Sequence, residues 1–456
     1  MPAPSQIDTA IEPVYAFNPH GGVALLHAGP LAAKLTGRDG ERIYEGQGRV
    51  LFQLAPEPHI PWEVLATLEH EPSEVGPGTP MRLIVPEFSD LSFRDPFTLT
   101  PLPDLPRLDD AEGRFVGGLE RVRIGDTENL AELRYHLIGF PLKAGTDEVL
   151  YPNDQVFPGR ISLAADEWRI DIDVWPDWGR LRGLKRGVFP VDFVQMCRIQ
   201  HKDGLLFSAS NGRVESLRLT LVLFLSFVAG RSVGAALPVG FDESGEKKYV
   251  EWSCTLVDST RNFRSWCPQD NPDCVPQLFS RFVELAREPR WHRTLVTLVR
   301  SYTAVSSLWA DFGFAVGVAF IAFASLSHKI LVVNEARLSN RQFKKTPTSE
   351  NLRMLLERAG IPIAVPDGMS ALGAAAADND MDAPGVLAWI RNQMIHPVDS
   401  VDLHRDAVAE AWTLSLWYLE LLTLHLLGYE GSYDCRVESL ESPRDYPLVP
   451  WAAQSE

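Results

Sequence analysis

Apolar and polar residues alternate with a period of two along residues 168–175, WRIDIDVW. Trp168, Ile170, Ile172 and Val174 are separated there by Arg169, Asp171 and Asp173. That spacing predicts a strand with one dry face and one wet face. Shorter β-type runs recur over 49–54, 62–68, 81–85, 119–124 and 132–140, set apart by Pro-dense stretches such as APEPHIPW and DPFTLTPLPDLP. Residues 1–215 therefore predict an antiparallel, sandwich-like β region. The pattern changes at SLRLTLVLFLSFVA, 216–229, an apolar run suited to a helix that Gly230 can end. PVGFDESGEKKYVEWS, 238–253, reads as a hairpin, so residues 216–274 form a section of helix, hairpin and connecting loop.

From residue 275 the apolar positions recur at helical spacing, over 275–289, 292–309 and 349–359. Asp382-Ala-Pro384 opens another helix, with Asp as the cap and Pro tolerated in the first turn. A last apolar helix covers about 402–427 and stops at Gly428. The charge-free stretch Phe312–Ser327, FGFAVGVAFIAFASLS, falls short of the roughly 20 apolar residues of a membrane span and is rich in small residues. It is expected to be a buried bundle helix, with no membrane contact. The fold class is α+β, with residues 275–456 a helical domain carrying an extended tail. A fragment from 275 onward is expected to fold alone.

Composition narrows the function. Hydrophobic residues make up 45% and charged residues 23%, an ordinary globular balance. The net charge of −17 argues against non-specific nucleic-acid binding, which rests on Lys and Arg. Five Cys, an odd number at low density, imply no disulfide framework. The first residues show no basic or apolar leader, so a reduced, cytoplasmic protein is expected. Cys267 and Cys274 bracket a Pro-containing loop without a nearby His. An irregular loop is expected there, with no metal and no cofactor.

The stretch WIRNQMIHP, 389–397, carries the candidate chemistry. Asn392 and His396 are four apart and share a helix face, whereas Arg391 and His396 point about 140° apart on a straight helix. Pro397 disfavours helical backbone at His396, so the helix should end there and free the imidazole to turn. Arg can hold a phosphate by a bidentate fork, His can exchange a proton near neutral pH, and Asn can orient either. A capped, solvent-facing helix end accounts for the same residues without any chemistry.

The run GVLAWIRNQMIHPVDS, 385–400, followed by one long apolar helix, resembles the HEPN superfamily. The likeness covers about 275–430. That family's signature is an Arg followed after four to six residues by a His, often with Asn directly after the Arg. The resemblance implies an all-α bundle that dimerises, so that two motifs form one composite site. It also implies metal-independent RNA cleavage by Arg391, His396 and Asn392, in toxin or anti-phage systems. Other members bind without cleaving, and a non-catalytic dimerisation or ligand-binding protein is the alternative. RNA, a second copy of the chain and a regulatory ligand or antitoxin are the expected partners.

Residues outside the motif are weaker candidates. Arg337, Arg341, Lys344 and Lys345 form the best sequence-local basic patch for RNA, although such stretches are usually solvated loops. Asp171 and Asp173 could hold a cation, but a solvated strand face is the plainer reading. His20, in a Gly turn, and His404 and His425, on the last helix, fit structural roles. Trp168 fits the core and Trp178 a loop.

Overall fold

The computed structural model describes residues 7–15, 17–18, 23–37, 40–53, 58–67, 81–85, 112–119, 121–141, 144–174, 194–253, 255, 257–258, 264–268, 272–395, 404–438 and 446–452. Two antiparallel sheets come first, as the alternating pattern requires. The smaller contains β1 (Phe17–Asn18), β2 (Val23–Gly37), β3 (Gly40–Gln53), β4 (Ile60–Thr67), β5 (Met81–Ile84) and β6 (Glu112–Leu119). The larger contains β7 (Arg121–Gly125), β8 (Glu132–Ile138), β9 (Asp147–Leu150), β10 (Val156–Ala165), β11 (Trp168–Asp173), β12 (Val194–His201), β13 (Gly234–Phe241) and β14 (Lys247–Ser253). Its strand order is β7-β14-β13-β8-β12-β11-β10-β9.

The two sheets share an apolar layer. Ala24, Phe52, Trp62 and Val64 from the smaller meet Ile124, Ile138, Val239 and Trp252 from the larger. That is the sandwich-like arrangement expected of residues 1–215, but the hairpin β13–β14 belongs inside it. β13 pairs with β8 and β14 with β7, so this hairpin completes the larger sheet and does not lead away from it. Both of its neighbours in the sheet are distant in sequence, so no local pattern places it there.

The strand β11 keeps its period of two, with Trp168, Ile170 and Ile172 in the core that faces the helices. Its polar face is wet only at Arg169. Asp171 and Asp173 are each 1% exposed. Arg160 grips Asp173 at 2.7 and 2.8 Å, and the backbone N–H of Ile11 adds a bond of 2.6 Å. Asp171 accepts from Arg198 at 2.8 Å and Arg169 at 3.0 Å. Burial pushes the Asp171 carboxyl up, yet these arginines hold it below the usual carboxylate range. Guanidinium groups fill the place where a cation or solvent was expected.

Nine helices are described: α1 (Gly212–Ala229), α2 (Cys274–Arg287), α3 (Pro289–Ser307), α4 (Phe312–Ser327), α5 (Asn340–Lys345), α6 (Thr348–Arg358), α7 (Ser370–Asp378), α8 (Ala383–Ile395) and α9 (Arg405–Leu426). Asn211 caps α1 through its side chain, and Gly230 closes it in the left-handed region at φ 68°. Helix α4 is central and packs against α3, α6, α8 and α9. Ala315, Val316, Ala319, Phe320, Phe323 and Leu326 are among its buried residues. A π-helical turn, His328–Asn334, prolongs it. The combined segment Phe312–Asn334 is long and apolar enough to cross a membrane, and more than half of its most apolar stretch is buried within the fold.

One core runs through the boundary expected at residue 275. A contiguous cluster joins Leu133, Ile161 and Ile172 of the sheet to Phe224 of α1, Phe279 and Phe282 of α2, and Leu419 of α9. The Phe224 ring lies 5.2 Å from both Phe279 and Phe282, tilted against the first and edge-on to the second. The helical part therefore has an apolar face on that side, which the sheet and α1 cover. Helix α1 lies in sequence before the expected boundary and in space within the helical layer.

Candidate functional site

Helix α8 carries the motif. Asp382 caps it, accepting from the Gly385 N–H at 2.9 Å and from Arg353 at 2.6 and 2.9 Å. Burial pushes the Asp382 carboxyl up, and the Arg353 bonds more than offset this, holding it below the usual range. The cap and first-turn Pro384 fix where the helix begins, and so where Arg391 emerges near its far end. Val386, Leu387 and Ile390 are buried and lock the helix against the bundle.

Arg391 is half-buried, and its Nη1 donates to the Asn392 Oδ1 at 2.9 Å. Its guanidinium carbon stands 5.9 Å from the centre of the Phe320 ring on α4. The buried Nε has no partner among the described residues. Asn392 is exposed. The motif's third member, His396, lies outside the described residues, as do His20 and Trp178. The structure thus brings Arg391 and Asn392 together.

Beside this pair lies a bare apolar face. Phe314 and Ile321 on α4 are 60% and 59% exposed, and Met394 of α8 is 45% exposed. A Cβ at Gly313 would meet the Met394 side chain at 2.3 Å, so α8 approaches the start of α4 closely. At Gly317, between Phe314 and Ile321, a Cβ would meet nothing within 4 Å. The stripe and Arg391 are therefore parts of one surface.

The basic stretch stands elsewhere. Arg337, Arg341, Lys344 and Lys345 are exposed and form no ion pair among the described residues. They follow the π-helical turn at the opposite end of the segment. From Phe320, beneath Arg391, to Asn334 the helical rise is about 20 Å. His404 is the N-cap of α9, accepting from the Asp406 N–H at 3.4 Å. Burial, then Arg358, lowers the pKa of His425. The Cys267 and Cys274 thiols are buried and 3.4 Å apart. No cluster suited to a metal occurs among the described residues.

Two features escaped the sequence reading. One is a buried polar cluster. The Tyr302 hydroxyl donates to Glu420 Oε1 at 2.5 Å, and Arg436 Nε donates to the same oxygen at 2.8 Å. A signal existed, because Glu420 is the lone acid in the apolar run SLWYLELLTL. The other is a cleft of about 820 Å³ between α1, α3 and the larger sheet. Its walls come from segments far apart in sequence, which leaves no local signal.

Residues 125–263 match the family described as the YopA central domain, and residues 288–445 match the YopA C-terminal domain. The chain is 28% identical over 301 residues to the SPbeta prophage-derived uncharacterized protein YopA of Bacillus subtilis (strain 168). That match covers 65% of this chain, and the chain spans 66% of that relative's length. No solved structure matches the chain.

Proposed function

We propose that the helical part is a HEPN-like module that cleaves RNA without a metal ion, acting in the cytoplasm as a pair of chains. The observation that supports this reading best is the Arg391–Asn392 pair, set beside the bare stripe of Phe314, Ile321 and Met394. An apolar face of that kind fits a second copy of the chain, whose own Arg391 would complete the site. In the reaction, the RNA 2′-hydroxyl oxygen attacks the neighbouring phosphorus and loses its proton to His396. The phosphorus–O5′ bond breaks, and the leaving oxygen takes a proton from a second imidazole or from water. A cyclic 2′,3′-phosphate results. Arg391 balances the charge on the phosphoryl oxygens. A prophage-derived relative fits a toxin or anti-phage role, with the β region serving recognition or regulation.

The test uses the full chain, total RNA and excess EDTA. Cleavage should persist in EDTA and leave cyclic phosphate ends. His396→Ala should lower it by about 10²–10⁴-fold. Equal degradation by wild type, His396→Ala and Arg391→Ala would reject the assignment. A second reading, a non-catalytic binding module, is favoured by the net charge of −17 and by the separation of the basic stretch from Arg391.

A further inference from the structure

We propose that the cleft between α1, α3 and the larger sheet binds a small amphipathic anion, with an apolar body and one carboxylate or phosphate head. At about 820 Å³ it falls within the size range of small-molecule sites. Leu219 and Leu223 of α1 and Val296 and Val299 of α3 line it. These four make an apolar wall. Leu219 is 54% exposed, in the middle of a helix whose last six residues, 224–229, are all buried.

The charged lining is of one dominant sign. Arg121, Arg218 and Arg300 line the cleft, against one carboxylate, Glu251. That carboxylate is already fully engaged. It accepts from Arg121 at 2.9 Å, from Arg123 at 2.9 Å and from the Tyr249 hydroxyl at 2.7 Å. Burial pushes Glu251 up, and these donors hold it below the usual carboxylate range. Arg218 is bonded to Glu215 at 2.7 and 2.8 Å. The Arg300 guanidinium has no side-chain hydrogen bond or ion pair among the described residues. Four arginines thus oppose two carboxylates in a chain whose net charge is −17.

Thr303, one turn beyond Arg300 on α3, also lines the cleft, its hydroxyl donating to the Arg300 carbonyl at 3.1 Å. A free guanidinium over an apolar wall recognises a head and a body together, since the fork takes the oxyanion and the wall takes the chain. A single engaged carboxylate offers nothing to a metal ion. The cleft joins the two matched segments, because its walls come from 216–255 and from α3. The inference stands apart from the RNA reading, which concerns α4 and α8.

Calorimetric titration of the full chain with decanoate and with decyl phosphate tests this. At least one should bind at one site per chain. Acetate, inorganic phosphate and decanol, each carrying half of the chemistry, should bind far more weakly. Arg300→Gln should weaken binding by about 10-fold or more, as loss of a charge-assisted bond does. Leu219→Glu should weaken it comparably by placing a like charge on the wall. Both side chains are exposed, so both variants should keep the wild-type unfolding midpoint. Preference for decanoate or for decyl phosphate identifies the head group. No binding of either amphiphile, equal binding of the isolated heads, or affinities unchanged in both variants would overturn the proposal.

Discussion

Tyr302 and Glu420, 118 residues apart, meet at 2.5 Å in the middle of the helical bundle, and both are fully buried. Arg436 completes the set from the segment after α9, bonding Glu420 at 2.8 Å and the Tyr302 hydroxyl at 3.2 Å. Burial disfavours the Arg436 cation, and Glu420 and Tyr302 more than restore it. Arg436 also donates to the Arg264 carbonyl, while Arg264 bonds Asp434 at 2.6 Å. One buried charge pair therefore fastens α3, α9, the final segment and the chain leaving the sheet. Removing one partner strands the other in an apolar interior. Arg436→Met should cost about 3–5 kcal/mol, and Tyr302→Phe about 1–3 kcal/mol. Urea unfolding measures both. A loss for Arg436→Met no larger than that for exposed Arg293→Met would mean the pair does not hold the bundle together.

His136 sets a second expectation, on pH. It is fully buried on β8, accepts from the Tyr15 N–H at 3.4 Å, and is driven by burial down to about 4. The unfolded chain binds this proton near pH 6.5, and the folded chain does not until far lower. The stabilisation is thus complete above pH 6.5 and is lost as pH falls towards 4. His425, also lowered by burial, acts in the same direction. Between pH 6.5 and 5 the His136 contribution should fall by about 2 kcal/mol. Urea midpoints at pH 7 and pH 5 measure it. His136→Gln should shrink the difference between them, and an undiminished difference would exclude this histidine as its source.

The shared core makes a third expectation. Cutting before Val275 removes α1 and the sheet, and so bares Leu278, Phe279 and Phe282 of α2. Each such side chain is worth roughly 1.5–3 kcal/mol of burial. The cut also removes the Ala164 carbonyl that Ser280 bonds at 2.8 Å, and Trp266, whose carbonyl accepts from Asp434 N–H at 2.7 Å. A 275–456 fragment should aggregate or bind apolar dyes, and coexpression with residues 1–274 should restore solubility. Cooperative unfolding of the isolated fragment would contradict this.

Much of the fold was legible from spacing. Period-two alternation found β11, helical periodicity with caps found α8 and α9, and Gly230 marked the end of α1. What failed was whatever depends on distant partners. Asp171 and Asp173, on the face of β11 expected to be wet, are dry because arginines from other strands and the N-terminal segment cover them. At residue 275 composition changes while the apolar cluster runs on across it, a continuity that no local pattern reveals. The site was legible only as a motif. Arg391 and Asn392 are neighbours in sequence, so their contact follows from the helix, but the exposed stripe beside them comes from a different helix. Phe314, Gly317 and Ile321 sit within an evenly apolar run, where no period separates the buried face from the bare one.

That bare face yields the last expectation. Phe314 and Ile321 are two turns apart on one side of α4, each about three-fifths exposed, with Met394 alongside. If a second chain covers them, a charge there must break the pair without unfolding either copy. Ile321→Asp removes little buried surface within the chain, so its unfolding midpoint should stay within about 1 kcal/mol of wild type. Its sedimentation should shift from two chains to one at micromolar concentration. Under the composite-site reading, RNA cleavage should fall with it by the same order as for His396→Ala, although the substitution touches no reacting group. Mixing Ile321→Asp with wild type should not restore activity to the variant chains. A wild-type chain that sediments as one copy while cleaving RNA at full rate would separate the chemistry from the pairing. A variant that stays paired would move the interface off α4.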